Sequence, residues 1–122
     1  MPRILAVDDS PSMRQMVGVT LKSAGYEVLE ACDGQEALNL AKGQAAVDLV
    51  ITDVNMPNMD GLSFLAAVKQ MPSYKFTPVI MLTTESQEEK KREGQAAGAK
   101  AWMVKPFKPE VLLSAVQKLV LP

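Results

Sequence analysis

At 122 residues the chain has the size of one ordinary domain, and 48% hydrophobic residues with a formal net charge of -1 exclude a disordered chain or a protein that wraps nucleic acid. A single cysteine excludes an internal disulfide, while the absence of histidine argues against the usual zinc sites and excludes an internal phosphohistidine. Met1-Pro2-Arg3-Ile4 lacks the apolar run of a signal peptide and no stretch approaches membrane-spanning length, so a soluble cytoplasmic protein with neither membrane nor nucleic acid as partner is expected.

Ile4-Leu5-Ala6-Val7 is a continuous apolar run of the kind that forms a strand buried on both faces, and it ends in Asp8-Asp9. Ser10-Pro11 supplies an N-cap hydroxyl followed by proline at the first helical position. Met13, Met16, Val17, Leu21 and Ala24 follow at helical spacing until Gly25, and the methionines read as adaptable core filler. Tyr26 to Ala31 is a less uniformly apolar strand, as expected near a sheet edge, and Cys32 reads as a small apolar side chain. Asp33-Gly34-Gln35-Glu36 has the spacing of a capping box, and Ala37, Leu38 and Ala41 form the stripe of the helix it opens, before Gly43.

Leu49-Val50-Ile51-Thr52 runs straight into Asp53, and Pro57 closes the segment. Asp60-Gly61 opens a helix carrying Leu62, Leu65 and Ala66, which Pro72 breaks. Pro78-Val79-Ile80-Met81-Leu82 is a fourth strand ending in Thr83-Thr84, and Ser86-Gln87-Glu88-Glu89 is a second capping box. The helix that follows has no large apolar residue from Gln87 to Gln95, and Gly94 costs about 1 kcal/mol relative to alanine. It is expected to be held weakly, either as a solvated surface helix or as a movable element. Ala101-Trp102-Met103-Val104 is the fifth strand, ending in Lys105-Pro106. Pro109 opens a last helix with Val111, Leu112, Ala115, Val116, Leu119 and Val120 facing inward. The repeated alternation of strand and helix predicts an α/β fold: a doubly wound, five-stranded parallel sheet with helices on both faces, formed by residues 1–122 as a single domain.

The strand ends place Asp8, Asp9, Asp53, Thr83 and Lys105 on the carboxyl edge of that sheet, where open α/β sheets bind ligands. Three carboxylates against one ammonium leave about two uncompensated negative charges, and two like charges about 4 Å apart repel by roughly 4 kcal/mol at an effective dielectric near 20. Either one acid takes up a proton or a divalent cation closes the balance. Hard oxygen donors suit Mg2+, and Asn55, two residues past Asp53, offers its backbone carbonyl as a further ligand. A carboxylate beside Mg2+ is a nucleophile towards phosphorus, giving an aspartyl phosphate, with Lys105 neutralising charge and the Thr83 hydroxyl reaching a phosphate oxygen. No base for rapid hydrolysis is evident, which points to storage of a phosphoryl group rather than turnover.

Val7-Asp8-Asp9-Ser10, Thr52-Asp53-Val54-Asn55-Met56-Pro57, Met59-Asp60-Gly61, Leu82-Thr83-Thr84, Gly98-Ala99 and Val104-Lys105-Pro106-Phe107 together resemble the receiver domains of bacterial two-component response regulators, over nearly the whole chain. The resemblance implies a flavodoxin-like sheet in strand order 2-1-3-4-5 and Asp53 as phosphoacceptor. It implies Mg2+ bound by Asp9, Asp53 and the Asn55 carbonyl with Asp8 assisting through water, and Thr83 and Lys105 at the phosphoryl group. It also implies a cis Lys105-Pro106 bond, Asn55 and Glu85 as residues that tune dephosphorylation, and Trp102 as the aromatic switch that turns inward when Thr83 is drawn to the phosphoryl group. Tyrosine or phenylalanine is commoner at the place of Trp102, and Lys108 stands where a better helix cap is common.

The weakly held helix fits a signalling face shared with the fifth strand and last helix, where Lys90, Lys91 and Arg92 are either a contact for an acidic partner or a solvated charge run. With Pro122 directly after the last helix, no output domain is expected, and the signal leaves by protein contact. Met13-Arg14-Gln15-Met16, Leu82-Thr83-Thr84-Glu85-Ser86 and Lys105-Pro106-Phe107 look like stand-alone chemotaxis receivers of the CheY type. That likeness implies no enzyme activity beyond self-catalysed phosphorylation and dephosphorylation of Asp53. The implied partners are a CheA-type histidine kinase as donor, a flagellar motor switch protein of the FliM type as target, and a phosphatase. The alternative is a single-domain phosphorelay shuttle. A small phosphohydrolase is disfavoured because Asn55 stands where such enzymes carry a second acid, and a flavin module because the acidic first loop repels phosphate.

Overall fold

The apolar residues of the three central strands are all buried. In a computed structural model that describes residues 2–43, 47–83, 92–93, 95–96, 98–105 and 107–120, β3 (Leu49–Asp53) and β4 (Val79–Thr83) lie buried at every position, next to β1 (Arg3–Val7). The strands of mixed pattern, β2 (Glu27–Ala31) and β5 (Ala101–Val104), take the edges, so the five parallel strands run in the order β2-β1-β3-β4-β5. This is the flavodoxin-like order expected from the motifs. Strand alternation splits the core in two. Leu5, Val7, Val50, Val79 and Met81 pack with α2 (Gly34–Gly43) and α3 (Gly61–Lys69). Ile4, Ala6, Leu49, Ile51, Ile80 and Leu82 pack with α1 (Pro11–Ser23) and α4 (Pro109–Leu119).

The helix ends follow the local chemistry. Ser10 caps α1 by accepting the Met13 N–H, with Pro11 at the first helical position. Beyond its C-terminus Gly25, at φ 95°, donates to Lys22 O while Tyr26 donates to Leu21 O, a Schellman arrangement that needs the left-handed residue glycine adopts freely. Asp33 accepts the Glu36 N–H at 2.8 Å, as a capping box requires, but the Glu36 carboxylate reaches the Cys32 N–H, one residue before the cap. Lys108 caps α4 with no side-chain hydrogen bond.

The inward assignment of Val111 is corrected, and two alanines counted at helical positions also turn outward. Ala24, Ala66 and Val111 are exposed; Phe64, Leu65 and Val68 carry the buried face of α3, and Leu112 and Val116 that of α4. Helical spacing defines a stripe but not its width, and a residue at the margin of the stripe turns to solvent at little cost. Of the stretch Gln87 to Gln95, only Arg92, Glu93 and Gln95 fall among the described residues, as exposed helical positions. Glu85, Lys90, Lys91, the second capping box and Pro106 with its expected cis bond lie outside them. Among the described residues no helix is long and apolar enough to cross a membrane.

Candidate functional site

Four residues of the site sit one step past the end of a strand or at its last position. The Asp8 N–H extends the ladder beyond β1 by donating to Ala31 O at 3.1 Å, and the Lys105 N–H does the same beyond β5 by donating to Thr83 O. Asp53 and Thr83 close β3 and β4, with Leu82 the register partner of Asp53 and Val104 that of Thr83. Four parallel strands thereby aim Asp8, Asp53, Thr83 and Lys105 at one edge, and all four are buried, at 3%, 6%, 1% and 8% exposure.

The Lys105 ammonium donates to Asp8 Oδ2 at 2.8 Å and stands 3.2 Å from Asp53 Oδ2. The other oxygens are held by backbone: Ser10 N–H donates to Asp8 Oδ1 at 2.9 Å and Val54 N–H to Asp53 Oδ1 at 2.8 Å. Asp9 is exposed, yet it offers a carboxylate oxygen that lies with those of Asp8 and Asp53 within 4.8 Å of one another. Burial pushes the Asp53 carboxyl above its ordinary value; the Lys105 charge opposes this, and Asp8 adds to it. Burial works against the charged form of Lys105, but the hydrogen bond and charge of Asp8, joined by Asp53, outweigh it and hold the ammonium above its usual value. Among the described residues the cluster thus carries more negative charge than its one cation neutralises, with only oxygen donors and Asp9 exposed, a donor set that fits Mg2+.

Asn55 is exposed on the loop after β3. Trp102 pairs with Met81 in the sheet, is half-buried, and packs against the α2–α3 side of the core. Alternation along the paired strands puts Thr83 and Trp102 on the same face, one diagonal step apart.

Three contributors owe their role to contacts that a reading of motifs alone does not show. Gly61 follows the N-cap Asp60, which accepts the Ser63 N–H at 2.8 Å; a Cβ on Gly61 would lie 2.1 Å from Asp53 O, so only glycine lets α3 start against the end of β3. Asn58 takes a left-handed φ of 65° and donates from its side chain to Asp33 Oδ2 at 2.8 Å. With Gly34 N–H donating to Met59 O at 3.0 Å, this staples the loop after Asp53 to the start of α2. Arg14 donates from Nη1 to Asp8 O at 2.8 Å. An Asn in a loop is a recognisable left-handed residue, but its partner 25 positions away leaves no local signal.

Residues 4–117 match the family described as the response regulator receiver domain. The chain is 42% identical over 118 residues to the gliding motility regulatory protein of Myxococcus xanthus, covering 96% of this chain but only 15% of that protein. It is 41% identical over 111 residues to chemotaxis protein CheY1 of Helicobacter pylori, covering 90% of each. Among solved structures, chemotaxis protein CheY4 of Vibrio cholerae superposes with a TM-score of 0.93 at 55% identity, covering 98% of this chain and 99% of that one.

Proposed function

The chain belongs to the response regulator receiver domain family, and from that premise we propose that it is a phosphorylation-activated switch with Asp53 as phosphoacceptor. The observation that carries the reading is the arrangement around Asp53: a buried carboxylate 3.2 Å from the Lys105 ammonium, with oxygens of Asp8 and Asp9 within 4.8 Å. Asp53 attacks the phosphorus of a phosphohistidine on a CheA-type kinase as the P–N bond breaks; the imidazole leaves with the bonding pair and takes a proton. Mg2+, held by Asp8, Asp9, Asp53 and the Asn55 carbonyl, would supply positive charge to the phosphoryl oxygens. The Val54 N–H on Oδ1 fixes the plane of the attacking carboxylate. Lys105, already charged between Asp8 and Asp53, moves its interaction to the new phosphoryl oxygens without having to gain a proton. Thr83 donates its hydroxyl to one of them, and Trp102, on the same face, follows it inward. Asn55 and Glu85 tune the return to the free carboxylate. The protein itself turns over no other substrate.

The chain acts as one receiver domain in the cytoplasm, and its output is protein contact. Relatives and structures named for chemotaxis that match almost end to end support a role in that pathway, with a flagellar motor switch protein of the FliM type as target and a phosphatase to reset the switch. Intact mass after incubation with acetyl phosphate tests the chemistry. One Mg2+-dependent phosphoryl adduct, absent in Asp53→Asn, is expected; an adduct that survives the substitution refutes the acceptor. Binding of the phosphorylated protein to an immobilised motor switch protein, against back-transfer to a second histidine protein, decides between the motor role and a phosphorelay shuttle.

A further inference from the structure

Among the described residues no backbone N–H reaches the carbonyl of Asp8. Arg14 meets it instead, Nη1 donating at 2.8 Å from the first turns of α1. That carbonyl belongs to the peptide unit joining Asp8 to Asp9, so the guanidinium fixes the plane from which Asp9 departs. Asp8 is held separately through its carboxylate, by Ser10 and Lys105. Asp9 has no comparable anchor: it is exposed, and among the described residues its side chain makes no hydrogen bond or ion pair. Its place in the cluster is therefore set by its backbone.

Arg14 is itself braced. Its Nε lies 3.5 Å from Glu30 Oε1 on β2, and Glu30 Oε2 is 3.8 Å from Lys22 on the same side of α1. The Glu30 carboxylate crosses the helix at Gly18, where a Cβ would come within 3.2 Å of Oε2. The guanidinium thus spans the end of the sheet, the first helix and the peptide between two acids, a fork geometry that a point-charge ammonium does not reproduce.

We propose that Arg14 is a positioning residue for the metal site, holding Asp9 in range of Asp8 and Asp53 through the Asp8 carbonyl, with Glu30 as its brace. This rests on the Mg2+ reading of the cluster. The proposal predicts a sign opposite to the obvious one. Removing a cation beside three carboxylates should by Coulomb's law alone tighten Mg2+ binding. Loss of positioning should weaken it, and loss of such outer partners lowers metal affinity by about 10-fold to 100-fold.

The test is Mg2+ titration by calorimetry and Trp102 emission on wild type, Arg14→Met, Arg14→Lys and Glu30→Gln, with Asp9→Asn marking full loss of the ligand. Weaker binding is expected in Arg14→Met by about tenfold, in Arg14→Lys despite its retained charge, and to a smaller extent in Glu30→Gln, which also serves should Arg14→Met fail to fold. Unchanged or tighter binding in folded Arg14→Met overturns the proposal. A second arm needs no metal: 15N relaxation in EDTA should show the Asp9 amide order parameter falling from about 0.85 to below about 0.6 in Arg14→Met. A rigid Asp9 in that variant overturns the proposal, whereas wild type that binds no Mg2+ refutes the metal reading and leaves the relaxation arm to decide on Arg14.

Discussion

Lys105 Nζ sits 2.8 Å from Asp8 Oδ2, so the last strand of the sheet is pinned to the first through a buried ion pair between residues 97 positions apart. The same ammonium is the only cation the structure gives to Asp53 among the described residues. Replacing it leaves two buried carboxylates without compensation, and breaking a buried pair in this way costs about 3–5 kcal/mol. Lys105→Met should therefore lose about that much stability at pH 7 in urea unfolding, and lose less at pH 4.5, where a carboxylate can take up a proton. Equal losses at both pH values would assign the effect to packing. In the wild type, the raised folded value of Lys105 means its contribution is complete below the ordinary lysine value of 10.5 and is lost as pH rises through the folded value.

Asp53 pulls the other way. Its carboxyl is raised by burial, so the folded state binds a proton more readily than the unfolded chain does, and ionised Asp53 destabilises the fold. Asp53→Asn should raise the thermal midpoint of the metal-free protein at pH 7. The gain should shrink as pH falls through the folded value of Asp53 and vanish below the ordinary 3.8. A variant no more stable than wild type in EDTA at pH 7 would show that Lys105 fully compensates the burial. The site keeps a strained charge at the residue proposed as the nucleophile.

The fold was legible because Ile4 to Val7, Leu49 to Thr52 and Val79 to Leu82 read as strands from their own residues, and Ser10, Asp33 and Asp60 mark helix starts by local hydrogen bonds. The site was legible because strand ends in a parallel sheet must meet at one edge. What escaped depends on distant partners. Nothing near Asn58 announces Asp33, and the spacing of Arg14 on α1 suits a solvated face as well as it suits the Asp8 carbonyl. Tyr74, almost fully buried after the break at Pro72, was missed because a 3-10 turn of residues 72–74 has no period to read.

Gly61 and Gly43 separate close approach from chain entropy. A Cβ at Gly61 would meet Asp53 O at 2.1 Å and Val54 Cα at 3.0 Å, both backbone, while at Gly43 nothing lies within 4 Å among the described residues. Gly61→Ala should push the start of α3 away from β3, at a cost of about 1–3 kcal/mol as for other overpacked sites, and slow acetyl phosphate labelling of Asp53. Gly43→Ala, at the end of α2, should be neutral or stabilising by up to about 1 kcal/mol. Urea unfolding of the two variants side by side checks both; equal effects would mean that the Gly61 contact relaxes freely.

Trp102 is the one tryptophan of the chain, so its emission reports a single site. It lies half-buried against the α2–α3 side of the core, on the same sheet face as Thr83, whose register partner Val104 is two residues further along β5. If Thr83 is drawn to a phosphoryl group on Asp53, the space it leaves lies next to the indole, and Trp102 should turn further inward with a blue-shifted emission. Thr83→Val keeps the volume of the side chain and removes the hydroxyl, so it should accept the phosphoryl group by intact mass yet leave the emission where it stands in unmodified protein. A silent spectrum in fully phosphorylated wild type would refute the rotation. A shift that persists in Thr83→Val would show that Trp102 responds to the site by a route other than the hydroxyl.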